Sequence, residues 1–261
     1  MNDLVIRNCL DFNQKKIDIF IRNGKIAEIS ERILISDIPE IDAGGHFISP
    51  PFIDSHFHMD ATLSYGLPRI NQSGTLLEGI SLWGELKKDL TADAIKERAR
   101  KLCKWSIARG TLGIRSHVDV SGDNLMAVEA LLDIKEEMKD FLDIQLVAFP
   151  QDGLYRAKCL NNLKTALEMG VDVVGGIPHF ERTMSDGAYS VKTLCELAEK
   201  KGLLVDMHCD ESDDPLSRHV ETLANETTRL GLEGRVAGSH LTSMHSMDNY
   251  YFSKLIALLV E

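Results

Sequence analysis

The chain has 261 residues, enough for one large domain or two modest ones. Hydrophobic residues make up 44% and charged residues 26%, the composition of a soluble globular protein with ample core. The net charge of −11, with no basic stripe, argues against nucleic acid or an anionic membrane as the main partner, and no apolar run reaches membrane-spanning length.

The opening "MNDLVIRN" lacks the charged-then-apolar pattern of a secretory signal. "LVIRNCL", "KIDIFIRNGKIAEIS" and "EIDAGGHFIS" are short, β-branched and punctuated by turn residues, which predicts a small β-meander. Asn23-Gly24 is a hairpin signal, because both positions tolerate positive φ. The expected boundary puts this β-portion at residues 1–49 and a second domain at 50–261.

From Pro50 onward the pattern changes. Apolar runs with little alternation occur at 52–56, 112–120, 143–150, 171–177, 203–208 and 235–240, as expected of strands buried on both faces. Helical stretches lie between them. "TADAIKERARKLCKWSIARG" has Thr91 as N-cap, Gly110 as stop, and Ile95, Ala99, Leu102 and Ile107 on one face. "NLMAVEALLDIKEEMKDF", "CLNNLKTALEMG" and "SVKTLCELAEKKG" behave likewise. Repeated β-then-α predicts an α/β fold with a parallel sheet, and six units of roughly 30 to 40 residues suit a (β/α)8 TIM barrel. The five cysteines at 9, 103, 159, 195 and 209 form no CxxC pair, which suits a reducing, cytoplasmic setting.

The polar residues gather at the C-terminal ends of the expected strands, which in a barrel open onto one face. His56 and His58 form an H-x-H whose rings share one side of a strand and suit Zn2+ or Fe2+; the bland reading is two solvent-facing or core histidines. In "HCDE", His208 offers a third ligand and Glu211 a carboxylate able to move protons, or else a loop histidine precedes a solvated acidic run. His240 ends the sixth strand, while His245 reads as peripheral. His179 either lines the pocket or packs in a turn. Gln151 either reads an amide-like substrate edge or caps a loop. His117 and Asp119 either support the ligands by hydrogen bonds or pair with each other. Met59, Met207 and Met244 read as packing.

These stretches resemble the amidohydrolase superfamily, and within it the cytosine deaminase group. "PPFIDSHFHMD", "NQSGTLLEGI", "RSHVDVS", "DIQLVAFPQDG", "DVVGGIPHFE", "DMHCDESDD", "VETLA" and "SHLTSMHS" run in the family's order over nearly the whole chain. The resemblance implies that residues 1–49 are part of a small β-sandwich and that His56, His58 and His208 hold one divalent metal, iron(II) or zinc. It implies that Glu211 shuttles protons, His240 orients a metal-activated hydroxide, Gln151 hydrogen-bonds a pyrimidine's amide edge and Leu76 packs near the ring. The implied reaction is hydrolytic deamination of cytosine, or a close pyrimidine analogue, to uracil and ammonia, a pyrimidine-salvage step. An isocytosine or aminotriazine ring is the alternative substrate. The implied partner is a small pyrimidine, with a homo-oligomer possible. The family also uses an aspartate at the end of an eighth strand. Only one helical stretch follows "SHLTSMHS", so the chain reads as C-terminally truncated, and a non-catalytic metal-binding fragment is the reading of a different class.

Overall fold

A computed structural model describes residues 3–156 and 158–260; Met1 and Asn2 of the expected N-terminal portion, with Ala157 and Glu261, lie outside the described residues. The chain divides into two compact units, residues 1–51 and 52–261.

The first unit is one four-stranded sheet of β1 (Leu4–Leu10), β2 (Lys16–Arg22), β3 (Lys25–Ser30) and β4 (Glu40–Asp42), in the order β3-β2-β1-β4. β1, β2 and β3 are antiparallel neighbours and form the expected meander. Asn23 and Gly24 turn the β2–β3 hairpin at φ of 54° and 74°. β4 corrects that reading, because it pairs parallel to β1 and makes the sheet mixed. A parallel neighbour needs a longer connection than a hairpin, and residues 31–39 supply one. Val5, Phe20 and Ile33 form the unit's small core.

The second unit runs β5 (Phe52–Phe57), α1 (Leu76–Leu86), α2 (Ala92–Ala108), β6 (Thr111–Asp119), α3 (Met126–Met138), β7 (Asp143–Phe149) and α4 (Cys159–Glu168), then β8 (Val173–Gly176), α5 (Met184–Lys201), β9 (Leu204–Cys209), α6 (His219–Leu230), β10 (Val236–His240) and α7 (Asn249–Val260). β5 to β10 lie in chain order in one all-parallel sheet. Sequential order with crossover helices is the barrel topology. The sheet curls until its edge strands approach: Nδ1 of His56 on β5 lies 3.2 Å from Oγ of Ser239 on β10. The fold is therefore a nearly closed parallel barrel of six strands.

β7, β8 and β9 are buried along almost their whole length, as continuous apolar runs require. Helices α2 to α6 pack their apolar faces on this sheet in one core. Thr91 caps α2, its hydroxyl accepting from the Ala94 N–H at 3.2 Å. All five cysteines are buried and free. No helix among the described residues is long and apolar enough to cross a membrane.

Candidate active site

β5 delivers the first two histidines. His56 lies within the strand and His58 just beyond its end. The chain is tied to β6 immediately afterwards: Met59 N–H donates to Ser116 Oγ at 2.9 Å, and Asp119 N–H donates to the Asp60 carboxylate at 2.9 Å. Burial pushes the Asp60 carboxyl up to about 7.

His117 on β6, His208 on β9 and His240 at the end of β10 converge on the same point. The His56 ring centroid lies 4.5 Å from that of His117, 4.7 Å from His208 and 4.7 Å from His240, the rings tilted or edge-on to one another. One ring nitrogen from each of His56, His117 and His208 lies within 4.8 Å of the others. His58 Nε2 is 3.1 Å from His208 Nε2. Burial first, and the neighbouring imidazoles second, lower His56 to about 4 and His58 to about 3, and lower His208 further still. His56, His58 and His208 are therefore neutral at pH 7 and keep a lone pair each.

Both nitrogens of His117 and Nδ1 of His208 are buried without a hydrogen-bond partner. Each such atom costs about 1–3 kcal/mol. Imidazoles with unpartnered buried nitrogens suit a borderline divalent cation such as zinc or iron(II), so the donor set fits a metal.

Beside this cluster is a cavity of about 520 Å3. Its lining includes all eight residues expected at the site: His56, His58, Leu76, Gln151, His179, His208, Glu211 and His240. Leu77, Ile80, Ile177 and Phe180 line it too, and sequence alone did not single them out. His179 lies in a short 3-10 turn, Pro178–Phe180, and lines the cavity; burial lowers it to about 4. Gln151 follows β7.

Glu211 sits 3.8 Å from His240 Nδ1. Burial raises the Glu211 carboxyl, while His240 opposes the rise. Three non-glycine residues here, Asp210, His240 and Leu241, have positive φ of 52°, 73° and 52°. Such conformations persist where the surroundings over-determine them. Asp210 shows how. It accepts from Ser217 Oγ at 2.7 Å, His219 Nδ1 at 2.8 Å, His219 N at 3.1 Å and Val220 N at 2.8 Å.

His117 and Asp119 do not pair with each other. Asp119 accepts from Trp83 Nε1 at 2.8 Å and Lys87 Nζ at 3.0 Å, and Lys87 also reaches Asp152 at 3.1 Å. This pins α1, which bears Leu76 and Ile80, against the strand ends. His117 belongs instead to the histidine cluster, with Nε2 3.5 Å from Asp206 Oδ1. The β-strand alternation of "SHVD" was the signal for this: it puts His117 and Asp119 on one side, but only the sheet register decides what each meets.

This barrel, with a cluster of histidines at its strand ends, is that of a family of hydrolases. The family model described as "Amidohydrolase family" matches residues 39–261, and the chain belongs to that family. Among individual proteins, it is similar to the 5-methylcytosine deaminase of Klebsiella pneumoniae in complex with phosphonocytosine: TM-score 0.93, 41% identity, covering 99% of this chain and 63% of that one. It is also similar to the N-isopropylammelide isopropyl amidohydrolase of Pseudomonas sp. (strain ADP), at 34% identity over 98% of this chain and 65% of the relative. The N-isopropylammelide isopropylaminohydrolase of Burkholderia multivorans superposes with TM-score 0.84 at 25% identity, covering 99% of this chain and 66% of that one. The chain thus spans just under two thirds of the length of these relatives.

Proposed function

We propose that this chain carries the site of a metal-dependent hydrolytic deaminase acting on cytosine or a close pyrimidine analogue. The observation that carries the reading is the composition of one cavity: a cluster of imidazoles, a half-buried carboxyl beside His240, and the amide of Gln151. The likeness to a 5-methylcytosine deaminase at 41% identity supports the ring class.

His56, His58 and His208 would hold the cation, iron(II) or zinc, with His117 against them. A divalent cation at such imidazoles supplies Lewis acidity, lowering the pKa of water from about 15.7 toward ~7. Gln151 both donates and accepts, which matches the C=O and N–H of a pyrimidine amide edge. Leu76 and its α1 neighbour Ile80 exclude water from one face of the ring. Glu211, with its carboxyl raised by burial and placed beside His240, can take up a proton and pass it to a ring nitrogen and then to the leaving amine. His240 orients the attacking water. The balance is cytosine plus water giving uracil plus ammonia.

A second reading is hydrolysis of an aminotriazine, favoured by the 34% identity to an enzyme named for N-isopropylammelide. Such a ring presents the same amidine-like C–N bond, so the metal and Glu211 serve both. The test is product release by zinc- or iron-loaded protein. Ammonia from cytosine or 5-methylcytosine, abolished in Glu211→Gln, supports the pyrimidine reading. Isopropylamine from N-isopropylammelide with no ammonia from either pyrimidine replaces it with the second. Zinc binding with no turnover of any of these rings favours a non-catalytic metal-binding chain.

A further inference from the structure

A polar chain links β7, β6, β9, β10 and β5 and ends on His56 of the histidine cluster. Asp206, on β9, is 2% exposed. Its Oδ2 accepts from Arg115 NH1 at 2.8 Å, and Arg115 Nε donates to Gln145 Oε1 at 2.6 Å. Its Oδ1 accepts from Ser239 Oγ at 2.9 Å. Ser239 Oγ in turn lies 3.2 Å from His56 Nδ1.

The directions follow from counting protons. A carboxylate held by a guanidinium accepts and does not donate. Ser239 has one hydroxyl proton and spends it on Asp206. Toward His56 its oxygen is left with lone pairs only, so His56 Nδ1 carries the hydrogen. The lone pair then lies on Nε2, the nitrogen across the ring.

We propose that Ser239 and Asp206 are positioning residues for His56, locking it as the Nδ1–H tautomer so that Nε2 is the nitrogen offered to a metal. The inference deepens the metal-binding reading of His56 and rests on it for its purpose. The tautomer itself is a property of the metal-free protein. Partners of this kind fix ring orientation and ligand basicity, and their loss typically costs 10–100-fold in metal affinity.

Asp206→Asn makes a distinctive prediction. An amide can donate to Ser239 Oγ, which frees the hydroxyl proton to turn toward His56 Nδ1 and favours the opposite tautomer.

The experiment is long-range 15N–1H correlation NMR on metal-free, 15N-histidine-labelled protein at neutral pH, with the His56 ring assigned by its loss in His56→Gln. Zinc affinity is measured in parallel by competition with a chromogenic chelator. The expected result is an Nδ1–H ring in wild type, retained in Ser239→Thr, mixed in Ser239→Ala and shifted toward Nε2–H in Asp206→Asn. Zinc affinity should fall about 10- to 100-fold in Ser239→Ala. An Nε2–H ring in wild type, or a tautomer unmoved by Ser239→Ala, overturns the proposal. Failure of the metal reading shows itself separately, as no zinc bound by wild type, and the tautomer result still decides the role of Ser239.

Discussion

His58 and His208, 150 residues apart in sequence, bring their Nε2 atoms to 3.1 Å of each other at the floor of the cavity. Two neutral imidazoles this close either share one proton in an N–H···N bond or turn both lone pairs to one electrophile. Burial keeps both rings neutral, which favours a cation there.

Zinc should therefore stabilise the fold. A ligand at 100 times its Kd adds about 2.7 kcal/mol. We expect Tm to rise with added zinc, to return with excess chelator, and to be insensitive to zinc in His208→Ala. A zinc-dependent shift that survives in His208→Ala would place the cation elsewhere.

Glu211 is expected to matter to chemistry and little to stability, since it is partly exposed and its contact with His240 Nδ1 is as long as 3.8 Å. Glu211→Gln should lower kcat by about 10^2- to 10^4-fold, the usual contribution of a positioned acid–base group. Tm should stay close to wild type. The pair of readings, steady-state rate and thermal melt, separates a proton carrier from a structural residue.

Asp210 should make the fold acid-sensitive. Burial pushes its carboxyl up, but hydrogen bonds from His219, Ser217 and Val220 outweigh it and hold the group at about 2, against an ordinary value of 3.8. A depressed carboxyl contributes stability that is present above 3.8 and lost as pH falls through about 2. The contribution is about 2 kcal/mol. In urea melts, Asp210→Asn should be less stable than wild type at pH 6, with the gap closing between pH 4 and pH 2. A gap that stays constant over that range counts against the linkage.

Gly187, on α5, has no room for a side chain. A Cβ there would run into the His219 ring and lie 2.6 Å from the Pro178 carbonyl oxygen. His219 is the residue that holds Asp210 from the other side. Gly187→Ala should cost about 1–3 kcal/mol by overpacking, read as a lower urea midpoint. Relief in the double variant Gly187→Ala/His219→Ala, relative to the sum of the singles, would identify the ring as the obstacle.

Much of this was legible in residue order. The continuous apolar runs located β5 to β10 to within a residue or two. Burial on both faces explains β7 to β9, but the edge strands β5 and β10 are exposed or half-buried along their length, which corrects the expectation that all six are buried. Thr91 and Gly110 bounded α2, and Asn23-Gly24 marked the hairpin, each through local backbone chemistry. Helix α1 was not legible. "LLEGISLWGEL" carries Gly79 and Gly84, which lower its helix propensity, and its position comes from Trp83 and Lys87 meeting Asp119 more than 30 residues away.

The sequence by itself determined which residue types stand at the strand ends, and hence that imidazoles, a carboxyl and an amide would face one mouth. Strand periodicity is a local property, and the parallel order follows from repeated β-then-α units. Only the tertiary structure decided what each side chain meets. It drew His117 into the histidine cluster and gave Asp119 to α1, and it set Ser239 between His56 and Asp206. Those pairings depend on sheet register and curl, which bring together atoms as much as 183 positions apart, and no window along the chain contains both partners.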